Sequence, residues 1–189
     1  MSDFLIVGLG NPGSRYAKTR HNVGFMVLAE LSSRWEMPAA KDKFRGRLSE
    51  GRIRPGGPRV ALLQPQTFMN ESGLSAGPAR GSLRIELDHL VAVHDEIDLP
   101  FGDVRSRLGG GLAGHNGLKS LKRELGSADF QRVRTGVGRP DSTDPEIVSA
   151  HVLGRFCESE SDVRSLIESA ADETERLIER IAADGLDDV

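Results

Sequence analysis

Apolar residues along the chain follow two rhythms. Short apolar runs occur at Phe4–Gly8, at Val60–Leu63 and inside His89–His94, where Leu90, Val91, Ala92 and Val93 are consecutive. Runs of this length, closed by glycine or polar residues, read as buried strands. Phe101–Arg107 and Gln131–Val137 alternate instead, and in the latter Val133, Thr135 and Val137 share a face, as in a strand with one covered side. The second rhythm is helical. Asn22–Trp35 places Phe25, Leu28, Ala29 and Ser32 on one stripe, with Asn22 as a candidate N-cap. Leu118, Leu121, Lys122 and Leu125 line up on a short basic helix, and Pro145–Leu153 holds one more short helix. Val163, Leu166, Ile167, Ala170, Thr174, Leu177, Ile178 and Ile181 keep helical spacing over about five turns. Lys41–Arg59 is polar, with seven basic and two acidic residues and the breaker run Arg54-Pro55-Gly56-Gly57-Pro58, and reads as an edge hairpin or mobile excursion. Strands and helices that alternate in this way predict an α/β domain on a mixed sheet.

Composition narrows the picture. The 189 residues are 38% apolar, which suits one domain with a full core. No apolar run approaches the roughly 18 residues of a membrane span, and no basic stretch followed by an apolar one marks a secretory signal. Cys157 is the only cysteine, so no intrachain disulfide can form; it reads as a small packing residue in a cytoplasmic protein. The net charge of −3 hides an asymmetry. Eleven acidic residues and three arginines lie from Glu158 to Val189, whereas Met1–Cys157 carries 22 basic and 17 acidic residues. The larger part can attract a polyanion while the acidic end points elsewhere.

Gly8-Leu9-Gly10-Asn11-Pro12-Gly13 spells a dinucleotide-binding fingerprint after a strand. The chemistry argues otherwise. Ser14 to Asn22 has almost no apolar stripe, so no helix N-terminus faces a pyrophosphate, and Pro12 removes an amide donor from the loop. Glu30, at the right spacing for the ribose contact, falls within a predicted helix. The stretch reads instead as a strand-ending turn that displays Asn11. Similar clusters follow at Thr19-Arg20-His21-Asn22, Phe68-Met69-Asn70-Glu71-Ser72-Gly73, His94-Asp95-Glu96-Ile97-Asp98 and Gly109 to Gly117. Three of the clusters directly follow apolar runs, and loops at the carboxyl ends of strands are where open α/β sheets bind ligands. Histidine beside a carboxylate suits proton transfer near neutral pH, and amide side chains can position a substrate or an oxyanion. There is no G-x-S-x-G elbow and no phosphate-binding loop ending in Gly-Lys-Ser/Thr. His21, His94, Asp95 and His115 could assemble a metal site, though no pair has a recognised ligand spacing. Spacing alone leaves a histidine-based hydrolase, a non-catalytic RNA-binding module and a dinucleotide enzyme all open.

The clusters, in this order, resemble the bacterial peptidyl-tRNA hydrolase family. The matching stretches are Val7 to Gly13, Tyr16 with Thr19 to Asn22, Phe68 to Gly73, His94 to Pro100, Gly109 to Gly111, Gly114 to Leu118 and Phe130 to Gly138, and the resemblance runs from about Leu5 to at least Leu186. It implies a single α/β domain over 1–189 with a twisted mixed sheet among helices. It also implies a cytoplasmic monomer without metal or other cofactor, which cleaves the ester between peptide and tRNA and so recycles tRNA from prematurely released chains. The expected partner is peptidyl-tRNA, through its acceptor arm and 3′ end. By motif, His21 is the general base on water, Asp95 holds it, and Asn11 helps form the catalytic centre. Tyr16, Met69, Asn70, His115 and Asn116 are the expected substrate contacts, with His115 in a mobile gate. Arg107 and Arg134 correspond to the pair that clamps the tRNA 5′ phosphate. Gly77-Pro78 departs from a helical segment of the family, Gly73–Arg84, so a helix there is expected to begin at Pro78 or to be shortened or kinked. Leu112-Ala113 departs within the glycine-rich loop, and the acidic tail after about residue 185 is expected to fray.

Overall fold

The computed structural model describes residues 2–184. In chain order it contains β1 (Phe4–Gly8), α1 (Val23–Arg34), β2 (Lys41–Lys43), β3 (Gly46–Arg52), β4 (Arg59–Pro65), α2 (Gly73–Leu83), β5 (Leu90–Glu96), β6 (Val104–Leu108), α3 (Asn116–Leu125), β7 (Gln131–Gly136), α4 (Pro145–Leu153) and α5 (Glu160–Asp184). The strands form one sheet in the order β2-β3-β4-β1-β5-β7-β6. The inner strands β4, β1, β5 and β7 are parallel, and β2, β3 and β6 add antiparallel edges. The inner strands include the short apolar runs because helices cover both faces. Phe4, Ile6, Val91, Val93 and Val133 pack with Val27, Leu31, Leu177 and Ile178 of α1 and α5. Leu5, Val7, Leu63, Leu90 and Ala92 pack with Ala76, Ala79, Leu118 and Leu121 of α2 and α3.

The chain leaves β1 to build β4 on one side, then crosses to build β5 on the other. Loops leaving β1 and β5 diverge there, which opens a crevice at the carboxyl ends of the strands. A close approach of α1 deepens the meeting of these loops. A Cβ on Gly8 would lie 2.6 Å from the Gly24 carbonyl, and one on Gly24 would strike the Val93 carbonyl and the Leu9 backbone. The glycine pair lets α1 sit directly on the ends of β1 and β5, so the turn ahead of it lies over the crevice.

Several expectations need adjustment. The helix read from Asn22 begins at Val23, after a single 3-10 turn over Arg20–Asn22, and Asn22 makes no cap bond. Gly77-Pro78 does not start or shorten the second helix: α2 runs from Gly73 to Leu83 with Pro78 inside it. Pro78 is exposed, so the Leu74 carbonyl that loses its helical donor is not trapped in the core. Lys41–Arg59 contains the edge hairpin, and its tip holds Phe44 and Arg45 at φ of 54° and 52°. Phe44 packs against the α2–α3 side of the core, which explains why a bulky residue is retained in that conformation. The fraying expected after residue 185 falls outside the described residues.

The seating of α1 is testable. Gly24→Ala should cost about 2–3 kcal/mol in urea denaturation, because the methyl meets backbone that cannot yield. Gly81→Ala, on α2 where a Cβ meets nothing within 4 Å, should gain about 0.5–1 kcal/mol in the same measurement.

Candidate active site

The segment after β1 carries Asn11, which is 7% exposed and held from three directions. Its backbone N–H donates to Asn22 Oδ1 at 2.9 Å, and Asn22 Nδ2 donates back to its carbonyl at 2.9 Å. The Asn22 amide therefore pairs with this backbone as a neighbouring strand would. Asn11 Oδ1 accepts the Met69 N–H at 2.8 Å, tying the β1 and β4 loops together. With its oxygen so engaged, Asn11 keeps Nδ2 as the group it can offer a ligand.

The 3-10 turn next to it is equally constrained. Arg20 is buried, and its guanidinium donates to the carbonyls of His151 at 3.2 Å and Arg155 at 2.7 Å, at and just beyond the end of α4. His21 Nδ1 lies 2.9 and 3.0 Å from the two carboxylate oxygens of Asp95. A carboxylate can only accept, so Nδ1 carries the proton and Nε2 is the basic nitrogen of a ring that lines the cleft. A second histidine completes the cluster. His115 precedes α3 and caps it, with Nδ1 accepting from the amides of Gly117 and Leu118 at 3.1 and 3.3 Å. Its Nε2 lies 2.9 Å from Asp95 Oδ1.

Burial alone would push the Asp95 carboxyl up, yet His21 and His115 hold it well below its ordinary range. Burial likewise opposes the charged form of His21, but Asp95 outweighs it and the net shift is upward. His94 behaves oppositely. It is 1% exposed and gives its Nδ1 proton to the Asp95 carbonyl at 2.7 Å, with its ring edge-on to His115 at 5.0 Å. Burial, reinforced by His115, drives its pKa down to about 3.

These residues floor a cleft of about 740 Å³ that Asn11, Tyr16, His21, Met69, Asn70, Asp95, His115 and Asn116 all line. Phe68, Ile97, Val148, Val152 and Leu153 form its apolar walls, the last three from α4. His21, Asp95 and His115 could also hold a metal ion, since their donor atoms lie within 4.8 Å of one another. Those atoms already hydrogen-bond among themselves, and an ion would displace their protons.

Arg107 and Arg134 do not line the cleft. They stand on β6 and β7, where the register pairs Arg105 with Arg134 and Arg107 with Arg132, so four arginines share one face of the sheet. Arg134 is joined to Glu96 at 3.0 Å. Arg132 is buried and holds the carbonyls of Gly110 and Gly111 at 2.9 and 2.5 Å, fixing the glycine-rich loop. Sequence reading missed Arg20, Asn22 and Arg132. A polar residue inside a dense motif marked the first two, but the strand pattern cannot tell which arginine meets a returning loop.

Comparison with known proteins agrees with this geometry. A family model described as peptidyl-tRNA hydrolase matches residues 5–188. The chain belongs to the peptidyl-tRNA hydrolase family. A peptidyl-tRNA hydrolase of Leifsonia xyli is 47% identical over 187 residues, covering 97% of this chain and 92% of the relative. One from Geotalea daltonii is 46% identical over 183 residues, covering 96% and 91%. A crystal structure of peptidyl-tRNA hydrolase from Acinetobacter baumannii superposes with a TM-score of 0.83 at 38% identity, covering 96% of this chain and 91% of that one. The single α/β domain with a mixed sheet among helices is thus the fold of this hydrolase family. No helix among the described residues is long and apolar enough to cross a membrane.

His94 sets a pH dependence of stability. Folded, it titrates near 3, and unfolded near the ordinary 6.5, so between these values the unfolded chain binds more protons and stability falls with acid. His21, whose folded pKa lies above the ordinary value, is protonated in both states below about pH 6 and adds no slope there. Denaturant unfolding from pH 6 to 4 should lose about 1.4 kcal/mol per unit to this group, and His94→Asn should flatten the slope.

Proposed function

We propose that this chain hydrolyses the ester joining a peptide to tRNA, with His21 as general base on water. The arrangement of His21 carries the reading: its proton-bearing nitrogen is locked on Asp95 and its basic nitrogen belongs to a cleft furnished with amides. Nε2 removes a proton from water as the oxygen attacks the ester carbonyl. Asp95 stabilises the imidazolium that forms, and an amide N–H of Asn11, Asn70 or Asn116 receives the oxyanion. When the tetrahedral intermediate collapses, the carbon–oxygen bond to ribose breaks and the imidazolium returns its proton to the ribose oxygen. The products are a peptide acid and a free tRNA hydroxyl.

Recognition divides between two surfaces. Asn70 and Asn116 bind the peptide backbone, and a free aminoacyl ester, which lacks that backbone, leaves their groups unpaired and is spared. Tyr16 and Met69 shape the floor, and His115 lies at the rim of the glycine-rich loop. The arginine face on β6 and β7 takes tRNA phosphate through Arg107 and Arg134, whose planar forks suit it. The protein acts as a monomer, in the compartment where translation supplies its substrate.

His21→Ala should lower kcat by about 10²–10⁴-fold on an N-acyl-aminoacyl-tRNA. The parent rate should climb with pH through the raised pKa of His21, because only the neutral ring is a base. Asp95→Asn should move that limb to lower pH and cut kcat, since the amide no longer enforces the Nδ1–H tautomer. Arg107→Ala should weaken tRNA binding and reduce the slope of log K against log salt by about one. Wild-type turnover in His21→Ala would remove the base assignment.

A further inference from the structure

Asp95 serves two histidines, and the chemistry above uses only one of them. The amides of Gly117 and Leu118 can only donate, so His115 Nδ1 must be unprotonated and Nε2 must carry the hydrogen. The cap on α3 therefore fixes His115 as a donor to Asp95 Oδ1 at 2.9 Å, the same oxygen that His21 Nδ1 approaches at 2.9 Å. We propose that His115 is a positioning residue that meters Asp95, drawing off part of the carboxylate charge that would otherwise act wholly on His21 and so setting how strong a base His21 is. The proposal rests on the reading of His21 as the base.

The physical case is a shared acceptor. Charge-assisted hydrogen bonds to one oxygen compete, and each proton received there reduces what the carboxylate gives the other. Most other charged and titratable groups around the pair are committed elsewhere. On β5, His94 donates to the Asp95 backbone carbonyl and Glu96 is joined to Arg134 of β7. Arg132 of β7 and Arg20 beside His21 are engaged with main-chain carbonyls, and Arg139 with Asp98. Tyr16 and, on α3, Lys119 line the same cleft. Among the described residues, only His21 and His115 hydrogen-bond to the Asp95 carboxylate. His115 also stands between the glycine-rich loop and α3, so the meter is held by the element that borders the cleft.

His115→Asn separates the two jobs of this side chain. Asparagine is a strong N-cap, but engaged in capping it is too short to reach Asp95. With Asp95 turned more fully on His21, the His21 ring followed by NMR in the whole protein should titrate about half a pH unit higher than in the parent. The acid limb of kcat/KM should move up equally, about a threefold loss of rate on the acid side. His115→Gln, long enough to return an N–H to the carboxylate, should bring the His21 titration back toward the parent. If His115→Asn loses protection of the α3 amides from exchange, His115→Ser, another capping residue without reach, carries the same test. An unmoved or lowered His21 titration in a capped variant overturns the proposal. The NMR titration needs no turnover: a raised titration with an unmoved rate profile upholds the metering and strikes instead at His21 as base.

Discussion

A carboxylate buried at the end of a parallel strand cannot remain ionised unless donors reach it, and at Asp95 the donors are imidazole rings rather than a lysine or arginine. This one constraint organises the cleft. An arginine partner would make a permanent ion pair and leave nothing to titrate. Histidines supply N–H groups while neutral, so the carboxylate is stabilised in either charge state of its partner. His21 then gains its proton affinity from a group that never has to accept the proton itself. His94 fits the same constraint from behind. A charged ring there would repel His115, and burial keeps it neutral.

Main-chain architecture makes the constraint attainable. Asp95 is fixed by β5, which is hydrogen-bonded on both sides by β1 and β7. His21 comes from a turn with no regular partner strand, and its placement is borrowed. Gly8 and Gly24 let α1 descend onto the strand ends, Asn22 grips the backbone of Asn11, and Arg20 grips carbonyls at the end of α4. A rigid strand thus presents Asp95, and three unrelated contacts present His21.

What could be read from the chain, and what could not, follows the range of the forces involved. Strands β1, β4 and β5 were legible because burial on both faces demands unbroken apolar runs, and α5 because its stripe persists over many turns. Asn11, Asn70 and Asp95 were legible as members of polar clusters that directly follow apolar runs, and His21 and Asn116 as members of clusters of the same composition. Asn22 holds the N-cap position of α1, as the pattern predicts, but its side chain goes to a contact eleven residues away instead of the cap bond. The helix through Pro78 keeps its length for a related reason. Propensity counts the lost amide, while packing of Ala76 and Ala79 against α3 decides the outcome. Arg132 carried no signal of its own in the strand pattern, because only the folded loop shows the carbonyls it holds.

The attachment of α4 has a consequence of a different kind. None of its residues is buried, and near its end the Arg20 guanidinium binds main-chain oxygens, beside a hydrogen bond between the His151 ring and the Gly138 carbonyl. Backbone carbonyls are the same whatever the side chain. The letters at Val148, Val152 and Leu153, which line the cleft, can therefore change without altering the anchor beside His21. The wall of the cleft and the His21–Asp95 pair are written in separate alphabets here, so the wall can be revised by mutation while the pair stays as it is.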